Sequence, residues 1–357
     1  LEKNLAQVLT ELDRIPGVSG AEEQVASYTK EALAGYYDEF HSDRLGNQFF
    51  IKKGKDPDFK IMLSAHMDEI GFVVQYIDDD GFIHFAPAGG HDPRMVINQV
   101  LSIHTEKGEV KGITGGKPAH IVSAEEASKS IPISQLFIDT GTTSREETEE
   151  LGVQIGDYVT FDREGHFLNN TKVFTGKAVD DRSGVAVLIE VMKQLSEKEI
   201  DATVYGVASV QEEVGIRGAG PAAFYVKPEI ALAIDVTLAG GTPGIEKKQI
   251  PVELGKGPAI KFFDWAPNSG MIGNSVPRWL TQQLVQTARK NAIPFQREVL
   301  LHGATDGWAM SLAGEGAAAG CISLPSRYIH SATGCVHLDD LENAAALIVK
   351  FIEEAKK

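Results

Sequence analysis

Histidines and acids in this chain collect where short apolar runs end. His66 and Asp68 follow Lys60-Ile-Met-Leu-Ser-Ala65, Glu212-Glu213 follow the run that ends at Val210, and Asp235 follows Ile230-Ala-Leu-Ala-Ile234. His330 closes Arg327-Tyr-Ile-His330, and Asp180-Asp181 stand just ahead of a helical stripe. Each has an ordinary explanation when taken singly: a turn pair for His66 and Asp68, helix N-caps for Asp180-Asp181, a solvated corner for Glu212-Glu213, a hydrogen-bonded rim imidazole for His330. Together they resist it. Adjacent carboxylates repel unless a cation or proton sits between them, and a free carboxylate at Asp235 is costly to bury behind five apolar residues. Open α/β sheets gather their ligands at the C-terminal ends of strands, where these residues fall. A metal pair resolves the repulsion. Mixed imidazole and carboxylate donors suit zinc, cobalt or manganese, and two ions about 3.5–4 Å apart under a bridging carboxylate activate water for hydrolysis.

The elements that must position these residues are legible in the periodicity. Leu5, Val8, Leu9 and Leu12 share one helical face that Pro16-Gly17 ends, and Ser19-Gly-Ala-Glu22 has capping-box spacing for a second helix. Lys60 to Ala65 reads as a buried strand that delivers His66 at its tip. From Gly71 to about Phe161 the texture changes to short alternating runs separated by Asp79-Asp-Gly81, Lys107-Gly108 and Gly115-Gly116, which predicts a β insertion inside an α/β domain. The α/β rhythm resumes with a helix over about 183–195, whose stripe is Val185, Leu188, Ile189 and Met192, then strands at Thr203–Val210 and Ile230–Ile234. A Gly-rich stretch from Gly303 to Gly320 leads to the strand-like Cys321-Ile-Ser-Leu, and a final helix is expected to be capped at Asp339-Asp-Leu-Glu342. Gly314, Gly316 and Gly320 match a dinucleotide fingerprint only loosely and read as turn or packing positions.

Composition narrows the function. The 357 residues suffice for about two domains. Lys and Arg number 34 against 50 Asp and Glu, a net charge of −16 that repels nucleic acid and anionic membranes. No run approaches the roughly 20 apolar residues of a membrane span. Two cysteines, Cys321 and Cys335, are too few for a disulfide scaffold, and the N-terminus lacks the basic-then-apolar order of a secretory signal, so a cytoplasmic protein is expected. His-Glu-x-x-His, Cys-x-x-Cys, P-loop and Gly-x-Ser-x-Gly motifs do not occur.

Five motifs in order, Ala65-His-Met-Asp-Glu-Ile-Gly71, Ala178-Val-Asp-Asp-Arg-Ser-Gly184, Gln211-Glu-Glu-Val-Gly-Ile-Arg-Gly218, Ala233-Ile-Asp235 and Arg327-Tyr-Ile-His330, resemble those of the tetrahedral di-metal aminopeptidases, the group that includes glutamyl, leucyl and deblocking aminopeptidases. The resemblance runs along essentially the whole chain. It implies a mixed-sheet α/β/α metallopeptidase domain over 1–70 and 166–357, with a β-rich, PDZ-like dimerisation domain inserted at 71–165. It further implies that Asp180 bridges two divalent ions, with His66 and Asp235 completing one site and Glu213 and His330 the other. Glu212 would be the general base, Asp68 the carboxylate behind His66, and the Asp180–Asp181 peptide bond cis. Short peptides are the implied substrates, and dimers assembled into a hollow homododecamer the implied state. One departure is Gly303-Ala-Thr-Asp306, where the family usually has Gly-Gly-Thr-Asp. The preferred N-terminal residue, acidic or neutral, is not legible; Lys261 and Arg217 read either as partners for an acidic side chain or as salt-bridged surface residues. Two alternatives compete: an endoglucanase-type glycosidase working with paired carboxylates, which 8% aromatic residues and three Trp do not favour, and a non-catalytic assembly scaffold.

Overall fold

Apolar runs bounded by turn residues become the inner strands of one large sheet. In the computed structural model, which describes residues 3–127 and 129–357, the strand Asp56–His66 lies between Ala202–Ser209 and Ile230–Leu238 and is parallel to both. Ile230–Leu238 in turn pairs in parallel with Ala318–Arg327. These four strands are buried along most of their length, so their sequences are continuously apolar rather than alternating. Antiparallel strands extend both sides: Gln48–Lys52 and Glu39–Ser42 on one, Gly334–His337, Val173–Gly176 and His166–Phe167 on the other. The sheet is therefore mixed. In-register pairing puts Ser209 beside His66 and Ser323 beside Asp235, so the ends that carry the acids and histidines share one edge.

Helices cover both faces, giving an α/β/α sandwich. Leu5–Arg14, Val179–Ser196 and Leu338–Glu354 pack their apolar stripes on one face, with Leu9, Leu12, Val185, Leu188, Leu341 and Ile348 buried. Ala219–Val226 and Asp306–Ser311 cover the other through Ala222, Ala223 and Met310. Between His66 and Val173 the chain forms a closed barrel whose strands are Gly71–Ile77, Ile83–Ala88, Val100–Thr105, Gly108–Thr114, Ile138–Asp139 and Tyr158–Phe161. Closure leaves no free strand edge, and the barrel has its own core, in which Phe72 meets Phe85 and Phe161 with ring centroids 4.8 and 5.7 Å apart. Among the described residues no helix is long and apolar enough to cross a membrane.

The elements expected from periodicity are present, but two helix starts differ. The second helix, Glu23–Ala32, begins at Glu22 without a side-chain cap, because Ser19 and Glu22 spend their oxygens elsewhere. The last helix is capped by the His337 ring, which accepts from the Asp339 amide, while Asp340 accepts from the amides of Gly255 and Gly257. Within the Gly-rich stretch the short helix Asp306–Ser311, capped by Thr305, was not foreseen; Gly314 and Gly316 occupy left-handed turn positions with φ of 61° and 87°.

Candidate metal centre

Four strand ends and one helix start converge. His66 ends its strand fully buried and points Nε2 at Asp180 Oδ1, 3.2 Å away, and at Asp235 Oδ1, 3.9 Å away. The other oxygen of Asp180 faces His330, 3.5 Å from its Nε2, and Glu213 Oε2 is 3.4 Å from the same nitrogen. Asp180 thus presents one oxygen to each imidazole. Ligand atoms of His66, Asp180 and Glu213 lie within 4.8 Å of one another, as do those of His66, Asp181 and Asp235. The Asp180–Asp181 peptide bond is cis. Asp181 serves the helix start as well, since its Oδ1 accepts from the Gly184 amide.

Asp68 ties the two acidic motifs together. Completely buried, it accepts from the amides of Glu212 and Glu213 at 2.9 and 3.0 Å and from the Ser19 hydroxyl at 2.6 Å, and its Oδ1 stands 3.4 Å from His66 Nδ1. The Glu212-Glu213 corner is fixed further by Glu22, which accepts from the Gln211 amide where Gln211 adopts φ 57°. Burial pushes the Glu22 carboxyl up to about 7.

The electrostatics match a site built for cations. Burial, with neighbouring acids adding to it, raises Glu213 to about 8 and Asp235 to about 7, and lifts Glu212 and Asp181 well above the carboxylate range. Burial works against charge on the imidazoles, yet Asp180 and Asp68 outweigh it at His66, and Glu213 and Asp180 carry His330 to about 10. Burial also opposes the charge of Asp180, but hydrogen bonds to His330 and His66 hold it below its ordinary value. Glu213 Oε1 and Asp181 Oδ2 are buried with no hydrogen-bond partner. Orphaned carboxylate oxygens beside two imidazole nitrogens are the donor set of a borderline-soft divalent cation, and the residues present fit such an ion.

A set of buried residues behind the site carried no role in the sequence reading. Arg182 is fully buried and donates to the carbonyls of Met67, Leu12 and Ile15 at 2.7, 2.8 and 2.8 Å, binding the loop after His66 to the first helix. Glu69 receives Lys177 on both oxygens, at 2.5 and 2.6 Å. Asp306 accepts from the hydroxyls of Ser64 and Ser209 at 2.7 Å each, joining two parallel strands just before they deliver His66 and Glu212. The only sequence signal for these residues was their place inside or beside the quoted motifs. Lys261 is not a surface residue: it is 1% exposed, with Nζ 3.8 Å from Glu298 Oε2 on the sheet, whereas Arg217 is exposed.

Imidazoles and carboxylates meeting at the C-terminal edge of a mixed α/β sheet suit a metal-assisted hydrolase. Comparison with known proteins gives the family. The sequence model described as M42 glutamyl aminopeptidase matches residues 46–347, and the chain belongs to that family of aminopeptidases. The lysyl aminopeptidase of Pyrococcus furiosus is 36% identical over 98% of this chain and 97% of its own. Aminopeptidase APDkam598 of the archaeon Desulfurococcus kamchatkensis superposes with a TM-score of 0.93 at 40% identity, covering 99% of this chain and 95% of that one. The TET1 peptidase of Pyrococcus horikoshii, which assembles into a tetrahedron or a large octahedral shell, gives 0.84 at 33% identity, covering 99% and 100%. The chain is a hydrolase of the exopeptidase kind, and its family implies divalent metals.

Proposed function

We propose that this aminopeptidase works with two divalent ions per chain, zinc or cobalt or manganese, and removes N-terminal residues from short peptides. The observation that carries the reading is the placement of Asp180, whose two oxygens face His66 and His330 separately. His66 and Asp235 would hold one ion, Glu213 and His330 the other, and Asp180 both. When bound, the ions supply Lewis acidity that polarises the scissile carbonyl and makes a water acidic at neutral pH. Glu212 is the general base: it takes the proton of the attacking water and returns it to the leaving amine. Asp68 is the orienting carboxylate, fixing the His66 ring from behind while anchoring the backbone of Glu212 and Glu213.

In this reading the catalytic unit spans 1–70 and 166–357, and the barrel inserted at 71–165 makes a dimer contact from which a homododecamer is built; the tetrahedral assembly of TET1 supports a homo-oligomer. A chamber of that kind admits short or unfolded peptides and excludes folded proteins, which suits a cytoplasmic peptidase. The N-terminal preference, acidic or neutral, is read from relative rates on Glu, Leu and Lys substrates. Direct support for two ions comes from metal analysis: cobalt added to chelator-stripped protein binds at two equivalents per chain, and a stoichiometry of one or none overturns the paired-ion reading.

A further inference from the structure

His66 and His330 are oriented by different parts of the molecule. The Nδ1 of His66 faces its own loop, 3.1 Å from the Asp68 carbonyl and 3.4 Å from the Asp68 carboxylate. His330 instead abuts Gly90, in the segment that leaves the barrel strand Ile83–Ala88. Its Nε2 faces Asp180 and Glu213, so it is Nδ1 that faces the Gly90 backbone. The approach is close. A Cβ at Gly90 would stand 3.1 Å from His330 Nδ1, and one at Gly89, where φ is 93°, would stand 3.4 Å from Glu213 Oε2 and 2.7 Å from Ile70 Cγ2. Both side chains of the second ion site therefore abut this barrel turn, whereas His66 and Asp235 are delivered by strands of the large sheet. The turn is itself held: His91 stacks on Phe72 with centroids 4.3 Å apart and places Nε2 2.8 Å from the Gly71 carbonyl.

We propose that the Gly89-Gly90 turn of the barrel is a positioning element for one ion site, fixing the His330 ring so that Nε2 meets Asp180 and Glu213. The barrel then sets the affinity of the His330–Glu213 site, and the large sheet sets that of the His66–Asp235 site. This rests on the two-ion reading above. Partners that orient a ligating imidazole are typically worth about 10–100-fold in metal affinity.

The test is a titration of metal-stripped protein with cobalt(II), followed by visible absorption. The unaltered protein takes up two equivalents. Gly90→Ala, which sets a carbon against Nδ1, weakens one of them about 10–100-fold and spares the other, and the weakened one is that removed by His330→Ala. His91→Leu, which loosens the turn without adding an atom beside His330, does the same and decides the matter should Gly90→Ala not fold. Gly115→Ala, on the barrel where a Cβ meets nothing within 4 Å, keeps both. Circular dichroism of each metal-free variant checks its fold. Two equivalents of unaltered affinity in Gly90→Ala and His91→Leu, or equal weakening of both sites, overturns the proposal; failure of the unaltered protein to bind two overturns the paired-ion reading instead.

Discussion

At the scale of single residues, the division of labour between Glu212 and Glu213 is the sharpest consequence of the geometry. The two are adjacent, and Asp68 holds both amides, yet only Glu213 meets an imidazole at 3.4 Å. Glu212→Gln is expected to keep both ions while kcat falls about 10²- to 10⁴-fold with little change in KM. His66→Ala is expected to lose metal as well as rate. Metal content and steady-state kinetics measured on the same preparations check both, and full turnover by Glu212→Gln would remove it as the base. Most of the side chains that converge were legible in the sequence, because a charged residue at the end of a buried apolar run is costly enough to require a purpose, while the role of each rests on the family resemblance. The supporting residues were not. Ser19 and Glu22 have capping-box spacing, and nothing local shows that Ser19 donates to Asp68 while Glu22 accepts from Gln211, 189 positions away.

At the scale of elements, the parallel strands have to end in register for the site to exist. Asp306 performs part of that alignment, since one carboxylate oxygen takes both the Ser64 and Ser209 hydroxyls from neighbouring strands. Asp306→Ala leaves two buried hydroxyls without an acceptor and is expected to destabilise the fold by about 1–3 kcal/mol, read by urea denaturation with metal present. No loss of stability would show that the serines find other partners. The strands and long helices were legible because burial on one or both faces writes a period into the sequence. Asp306–Ser311 was hidden in a Gly-rich stretch too short to show a period, and His337 caps the last helix in place of the acids because Asp339 takes Lys172 and Asp340 takes the amides of Gly255 and Gly257. That the barrel turn reaches His330 is a contact between distant segments, invisible to any local pattern.

At the scale of the whole molecule, metal and proton compete for the same groups. Without metal, burial holds Glu213 to about 8 and Asp235 to about 7, against ordinary values of 4.5 and 3.8, so the fold binds protons there that the unfolded chain has released. His330, which burial would discharge but Glu213 and Asp180 carry to about 10, keeps its proton above its ordinary 6.5. All three contributions run the same way: stability is greatest on the acid side of this window and falls as pH rises, most steeply from about 6.5 to 7 where all three windows overlap. The melting temperature of chelated protein is therefore expected to drop between about pH 6 and pH 9, and cobalt, which displaces the protons, to reduce that drop. A chelated protein equally stable at both would contradict this. Because the His330–Glu213 pair abuts the barrel, stripping the metals is also expected to shift the assembly toward dimers, and a dodecamer of unchanged size by light scattering would reject that. Metal-dependent aminopeptidase activity is tested most directly by the initial rate of hydrolysis of chromogenic substrates with N-terminal Glu, Leu, Lys or acetyl-blocked residues, with cobalt or zinc and with chelator. Cleavage of unblocked substrates that chelator abolishes and metal restores is the expected result; activity indifferent to chelator, or none on any substrate, would contradict a metal-dependent aminopeptidase.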